Sequence, residues 1–100
     1  MKIYAVMKTT ASDDYGFSTV QEEVFEMRFY RTLEKACKRI DEIYEYQNEG
    51  PTYGHDYEEN KIEWLQKGRM PGYGFARTFD GYNGTVYERQ VYRVKELEAE

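Results

Sequence analysis

Leu33, Ala36, Cys37, Ile40, Ile43, Tyr44 and Gln47 recur at spacings of three and four residues. This is the apolar stripe of an amphipathic helix, and a helix with one greasy side must lie on another layer. Thr32 is the expected N-cap, and Glu34 in the first turn suits the helix dipole. Gly50 and Pro51 end the element. What flanks it alternates with period two, so the layer beneath is expected to be a sheet.

Lys2 to Thr9 reads as a first strand, with Ile3, Ala5 and Met7 alternating against Tyr4, Val6 and Lys8. Thr10 to Ser18 holds Ser12, Asp13, Asp14 and Gly16 and is expected to be a polar loop. A second strand is expected over Glu22 to Tyr30, with Phe25, Met27 and Phe29 on one face. The two strands would form a long antiparallel hairpin.

After the helix, Asp56-Tyr57-Glu58-Glu59 has the form of a capping box. It predicts a short second helix reaching about Lys67 and stopped by Gly68, with Tyr57, Lys61, Trp64 and Leu65 inward, or a face rotated toward Ile62. Gly68 to Gly74 is too rich in Gly and Pro for regular structure. A second hairpin follows, roughly Tyr73 to Phe79 and Thr85 to Val94. Asp80-Gly81 and Asn83-Gly84 are both turn pairs, and Asn83-Gly84 is the one favoured. The expected fold is therefore α+β and two-layered. A mainly antiparallel four-stranded sheet carries one long and one short helix in the order β-β-α-α-β-β. Residues 1–95 would form one domain, and Glu96 to Glu100 a frayed tail.

The core of such a domain is small. Eleven tyrosines and five phenylalanines exceed what it needs, which favours an aromatic surface. No apolar run approaches a membrane span, and MKIYAVMKTT turns polar too soon for a secretory signal. Cys37 is the single cysteine, so no internal disulfide can form. Together these readings point to the cytoplasm.

Few residues offer chemistry. His55 is the single histidine, but its neighbour Asp56 is explained as a helix cap and no nucleophile shares the loop. Cys37 sits on the apolar stripe, where a thiol acts as a small hydrophobe. Cysteine and histidine stand far apart, without carboxylates at ligand spacing, so neither a metal nor another cofactor is expected. The glycines at 68, 72 and 74 form no phosphate-loop pattern. Adjacent acids such as Glu58-Glu59 point apart on a regular element. An enzyme is not expected.

Charge is the remaining signal. Asp41 to Glu63 holds eight acids against Lys61 alone, whereas Lys67 to Lys95 holds six bases against Asp80 and Glu88. On the helix, Asp41/Glu45 and Glu45/Glu49 are like-charge i,i+4 pairs, each costing a few tenths of a kcal/mol. Asp41, Glu42, Glu45, Glu49, Tyr53, Tyr57, Glu58 and Glu59 thus form a candidate acidic, tyrosine-rich partner surface. Its plain alternative is a solvated helix face. Arg69, Arg77, Tyr87, Arg89 and Arg93 form a candidate basic surface, on which Arg89, Val91 and Arg93 share a strand face. Tyr73, Tyr87 and Tyr92 would stack on bases there. The alternative is ordinary cross-strand pairing with Glu88 and Glu26.

The run Phe29-Tyr30-Arg31-Thr32-Leu33-Glu34-Lys35-Ala36, a strand entering a helix, resembles small uncharacterised phage and mobile-element proteins over residues 1 to 46. The resemblance is architectural and carries no functional residue with it. It implies an accessory or counter-defence protein, similar to anti-CRISPR proteins in size, acidity and lack of an active site. Three functions stay open, and the first is favoured: a non-enzymatic inhibitor. The chain could block a larger host nucleic-acid-handling protein through the acidic surface. It could bind nucleic acid through the basic hairpin. It could also be an interaction module within a homodimer or assembly.

Overall fold

The computed structural model describes residues 1–14, 17–49, 57–81 and 86–99. It is α+β: β1 (Lys2–Asp14), β2 (Phe17–Tyr30), α1 (Leu33–Glu49), β3 (Tyr57–Gln66), β4 (Gly74–Gly81) and β5 (Val86–Glu98). The five strands form one antiparallel sheet in the order β2-β1-β5-β4-β3.

The helix is where its apolar stripe puts it. Thr32 Oγ1 accepts a hydrogen bond from the Lys35 N–H at 3.2 Å, the geometry of an N-cap. Ala36, Cys37, Ile40 and Ile43 are buried against Val6, Tyr30, Phe75, Tyr92 and Val94 of the sheet and Tyr73 just before β4. Phe75 stands at the centre, stacked on Tyr92 at 5.2 Å and edge-on to Tyr44 at 5.4 Å and Trp64 at 5.7 Å. Among the tyrosines whose side chains are described, Tyr30, Tyr73 and Tyr92 are buried, Tyr4 and Tyr44 pack against the core, and Tyr46 is exposed.

The expected short helix is a strand. Ile62 and Trp64 both pack on the core, while Glu63 and Leu65 between and after them are exposed. Side chains two apart share a face only in a strand; a helix would turn them about 200° from each other. Pairing Trp64 with Phe75 and Ile62 with Arg77 also gives the backbone a ladder to β4. A capping box is worth about 1 kcal/mol and loses to this. With β3 the sheet has five strands, and the order is β-β-α-β-β-β.

The polar stretch expected as a loop is strand as well. β1 continues to Asp14 and β2 starts at Phe17, with Ala11 opposite Val20 and Ser12 opposite Thr19. β1 is also flanked on its other side by β5, whose ladder runs from Asp14–Val86 to Lys2–Glu98. A strand paired on both edges tolerates residues of poor strand propensity. Glu96 to Glu98, expected to be tail, belong to this ladder, and Ala99 N donates to Met1 O at 2.7 Å. The Asn83-Gly84 turn lies outside the described residues. Asp80-Gly81 lie within β4, with Asp80 opposite Tyr87.

β2 carries the main irregularity. Met7 pairs with Val24 and Ala5 with Phe29, so β2 takes five residue steps where β1 takes two. Glu26 and Met27 lie in the left-handed region, with φ of 61° and 53°, which costs non-glycine residues on the order of 1–2 kcal/mol each. The gain is a change of face. Phe25 and Tyr30, five positions apart, would face opposite ways on a regular strand, yet both pack on the helix side. The expected common face of Phe25, Met27 and Phe29 is thereby broken, since Met27 is 82% exposed and Phe29 half-exposed.

Lengths decide what remains open. A 17-residue helix spans about 25 Å, and a 13-residue strand roughly 43 Å. One helix therefore covers only part of one sheet face, and the molecule is drawn out to 47 × 29 × 21 Å.

Candidate partner-binding surface

Strand alternation sorts the sheet's residues into two faces. Tyr4, Val6, Tyr73, Phe75, Tyr92, Val94 and Trp64 are on the side of α1. The opposite face carries Ala5, Met7, Thr9 and Ala11 from β1, with Ala76 and Thr78 from β4. Between them β5 contributes Arg89, Val91, Arg93, Lys95 and Leu97. Among the described residues no second layer covers this face. Ala5, Ala76 and Val91 are nonetheless buried, because longer neighbours shade small side chains. At the β2 edge Val20 is 70% exposed and Phe29 half-exposed.

The face has a charge pattern. Arg89, Arg93 and Lys95 run down the central strand β5 and have no ion-pair partner among the described residues. Glu22 on β2 and Glu63 on β3 lie near the two edges. A cationic ridge thus stands between shallow strips of Ala, Thr and Gly. Beside it lies a depression of about 260 Å³ lined by Met7, Thr9, Glu22, Gly72, Arg93, Val94 and Lys95.

The expected basic surface is divided. Arg89 and Arg93 are together on the uncovered face, as their spacing implied. Arg77 is one step out of phase, on the side of α1, and its guanidinium lies 4.6 Å from the Phe79 ring centroid. Arg69 is turned toward the helix. Tyr73 and Tyr92, expected as stacking platforms, are buried in the core. Tyr87 pairs with Asp80 and Asp13 in the ladder, and its side chain lies outside the described residues. Sequence reasoning did not include Lys95, Met7 or Thr9. The signal was the parity of β1 and β5, which becomes readable only once their register is known.

The expected acidic surface is largely committed elsewhere. Asp41 accepts hydrogen bonds from Arg69 at 2.8 Å and from the Tyr73 hydroxyl at 2.5 Å. It thereby ties α1 to the segment leading into β4. Arg69 also approaches Glu34 at 3.8 Å. Glu42 lies 3.9 Å from Arg39, whose main partner is Glu26 at 2.7 Å. Glu45 is exposed with no such partner among the described residues, and Tyr46 beside it is 80% exposed. Tyr57 to Glu59 are in β3 rather than on a helix. Tyr53 and His55 lie outside the described residues, as do the side chains of Glu49, Tyr57, Glu58 and Glu59.

The cluster Cys37, Asp41, Arg69 and Tyr73 deserves a chemical reading. Burial, then the hydrogen bond to the Asp41 carboxylate, pushes the Tyr73 phenol up to about 12. A phenol with that affinity for its proton is a poor base at neutral pH. Burial likewise pushes the Cys37 thiol up, away from the reactive thiolate. The cluster acts as a lock between helix and sheet. Among the described residues no group of three or more His, Cys, Asp or Glu is placed to hold a metal ion, and no helix is long and apolar enough to cross a membrane.

Comparison with protein-family models, with curated proteins and with solved structures finds no match to this chain.

Proposed function

We propose that the chain is a non-enzymatic binding protein whose uncovered sheet face engages an acidic surface of another protein. The observation that carries this reading is the row Arg89, Val91, Arg93 and Lys95 at the centre of that face. Three cations there lack acidic partners in the described structure, and Met7, Val20 and Phe29 supply apolar area. Arginine, methionine and aromatic residues are enriched in interface cores. A nucleic acid fits the ridge less well, because base stacking needs exposed rings and Tyr73 and Tyr92 are withdrawn into the core.

The test combines site-specific cross-linking with charge reversal. Photoreactive residues at positions 91 and 7 should capture one and the same protein from cells of the source, whereas one at position 46 should not. Arg89→Glu with Arg93→Glu should abolish that capture, and raising salt should weaken it. Binding of short single- or double-stranded DNA or RNA at low salt, lost in the same double variant, would replace the protein partner by a nucleic acid. Sheet-face capture unaffected by the charge reversal would overturn the reading.

A second reading rests on exposed Glu45 and Tyr46. They lie near the C-terminal end of α1, whose last turn has no basic residue, so the dipole disfavours acids there. This is the inhibitor reading, in which an acidic face occupies the phosphate-binding groove of a host nucleic-acid-handling protein, as the resemblance to phage accessory proteins implies. It requires capture from position 46. It also requires loss of binding when Glu45, Glu49, Glu58 and Glu59 are changed to Lys.

A further inference from the structure

We infer that the depression between Met7, Thr9, Arg93 and Lys95 receives the carboxylate of a single Asp or Glu side chain of the partner, anchoring it on the sheet. This deepens the sheet-face reading and rests on it. The lining is mixed in a way that suits one short acidic side chain. Met7 offers an apolar wall for its methylenes. Arg93 and Lys95, opposite Met7 and Ala5 in the ladder, bring two cations to one place. Neither has an ion-pair partner among the described residues. An arginine fork and a carboxylate match as a two-point hydrogen bond.

The charge of the site selects the ligand. Two cations and the one carboxylate of Glu22 line the depression. That leaves a single excess positive charge, which balances a monoanion. A phosphate dianion would face Glu22 with its second charge uncompensated. Glu22 accepts a hydrogen bond from Thr9 Oγ1 at 3.5 Å, which keeps it beside the site. The floor is held in place too. Gly72 N donates to Val94 O at 2.8 Å, and Val94 N donates to Tyr73 O at 2.9 Å, so the backbone beneath Arg93 and Lys95 is fixed. The volume, about 260 Å³, has room for one such side chain.

The experiment is an NMR titration of the intact protein with a capped tri-glutamate peptide, with inorganic phosphate in a parallel arm. The expected result is peptide-induced movement of the Gly72 and Arg93 backbone amides and of the Arg93 side-chain N–H. Arg93→Ala should weaken the peptide by about tenfold. Arg89→Ala, on the same ridge but outside the depression, should change it much less. Movement spread evenly along β5, with Arg89→Ala and Arg93→Ala equally damaging, would overturn the anchor and leave the sheet-face reading standing. Stronger binding by phosphate than by the peptide would overturn the carboxylate assignment. No movement at the depression with either probe would overturn the site, whereas the sheet-face reading is judged separately by cross-linking at position 91.

Discussion

Changing Tyr73 to Phe tests the lock between α1 and the sheet, and its signature is a pH dependence that differs from that of the parent. In the fold the Tyr73 phenol holds its proton to about pH 12, against 10.0 for an ordinary tyrosine. The causes are burial and the Asp41 carboxylate beside it, partly opposed by Arg69. Between these values the unfolded chain gives up the proton and the folded chain does not. Rising pH therefore favours unfolding. The stabilisation is complete below about pH 10 and is lost as the pH approaches 12. Two units at about 1.4 kcal/mol each amount to roughly 2.7 kcal/mol. A loss of that size lowers a urea midpoint by about 1–2 M. The Phe variant lacks the hydroxyl and hence the titration, but also the bond to Asp41, which costs it about 1–1.5 kcal/mol at neutral pH. Urea unfolding followed by far-UV circular dichroism at a series of pH values should give two curves. The parent starts higher and falls, so they cross near pH 11. The other tyrosines and the lysines titrate in both proteins and drop out of the comparison. Curves that stay parallel through pH 12 would refute the burial of this phenol against Asp41.

Three more outcomes follow from particular positions. Gly74→Ala would set a methyl 1.9 Å from the carbonyl oxygen of Tyr92, and the strand pair has no room to part; thermal unfolding should show destabilisation of about 2 kcal/mol or more, and an unchanged melting temperature would contradict the β4–β5 spacing. Met27→Gly relieves a left-handed conformation and removes only an exposed side chain; it should stabilise by about 0.5–1 kcal/mol, whereas Glu26→Gly gives up the Arg39 ion pair and should gain less. A variant less stable than the parent at position 27 would argue that the bulge is not strained. Cys37 is fully buried with its thiol pushed up, so a thiol reagent should modify it only as fast as the protein opens, and rapid modification under native conditions would show that the helix does not seal that site.

How much was legible depended on how local the signal was. The helix could be read because its stripe, its Thr32 cap and its Gly50-Pro51 stop are all carried by residues within a few positions of one another. β3 could not be read as easily, since Asp56 to Glu59 mimic a helix start and only the alternation of Ile62 and Trp64 argued otherwise. The candidate surfaces were the hardest. Arg89 and Arg93 share a face on any strand, but Lys95, Met7 and Thr9 join them through the β1–β5 register, which links residues more than 80 positions apart.

Sequence alone settled the α+β class, the position of α1, the place of Cys37 on its apolar stripe and the pairing of Arg89 with Arg93 on one strand face. Tertiary structure decided the rest. It made residues 57–66 a strand because β4 offered a ladder and α1 a core to cover. It placed a bulge at Glu26 and Met27 because Phe25 and Tyr30 both had to reach that core. It also gave Asp41 to Tyr73 and Arg69 and left the cations of β5 without acidic partners in the described structure. Local propensities are worth tenths of a kcal/mol to about 1 kcal/mol, and burying a single aromatic side chain is worth more than that. Where the two disagree, packing between distant segments wins.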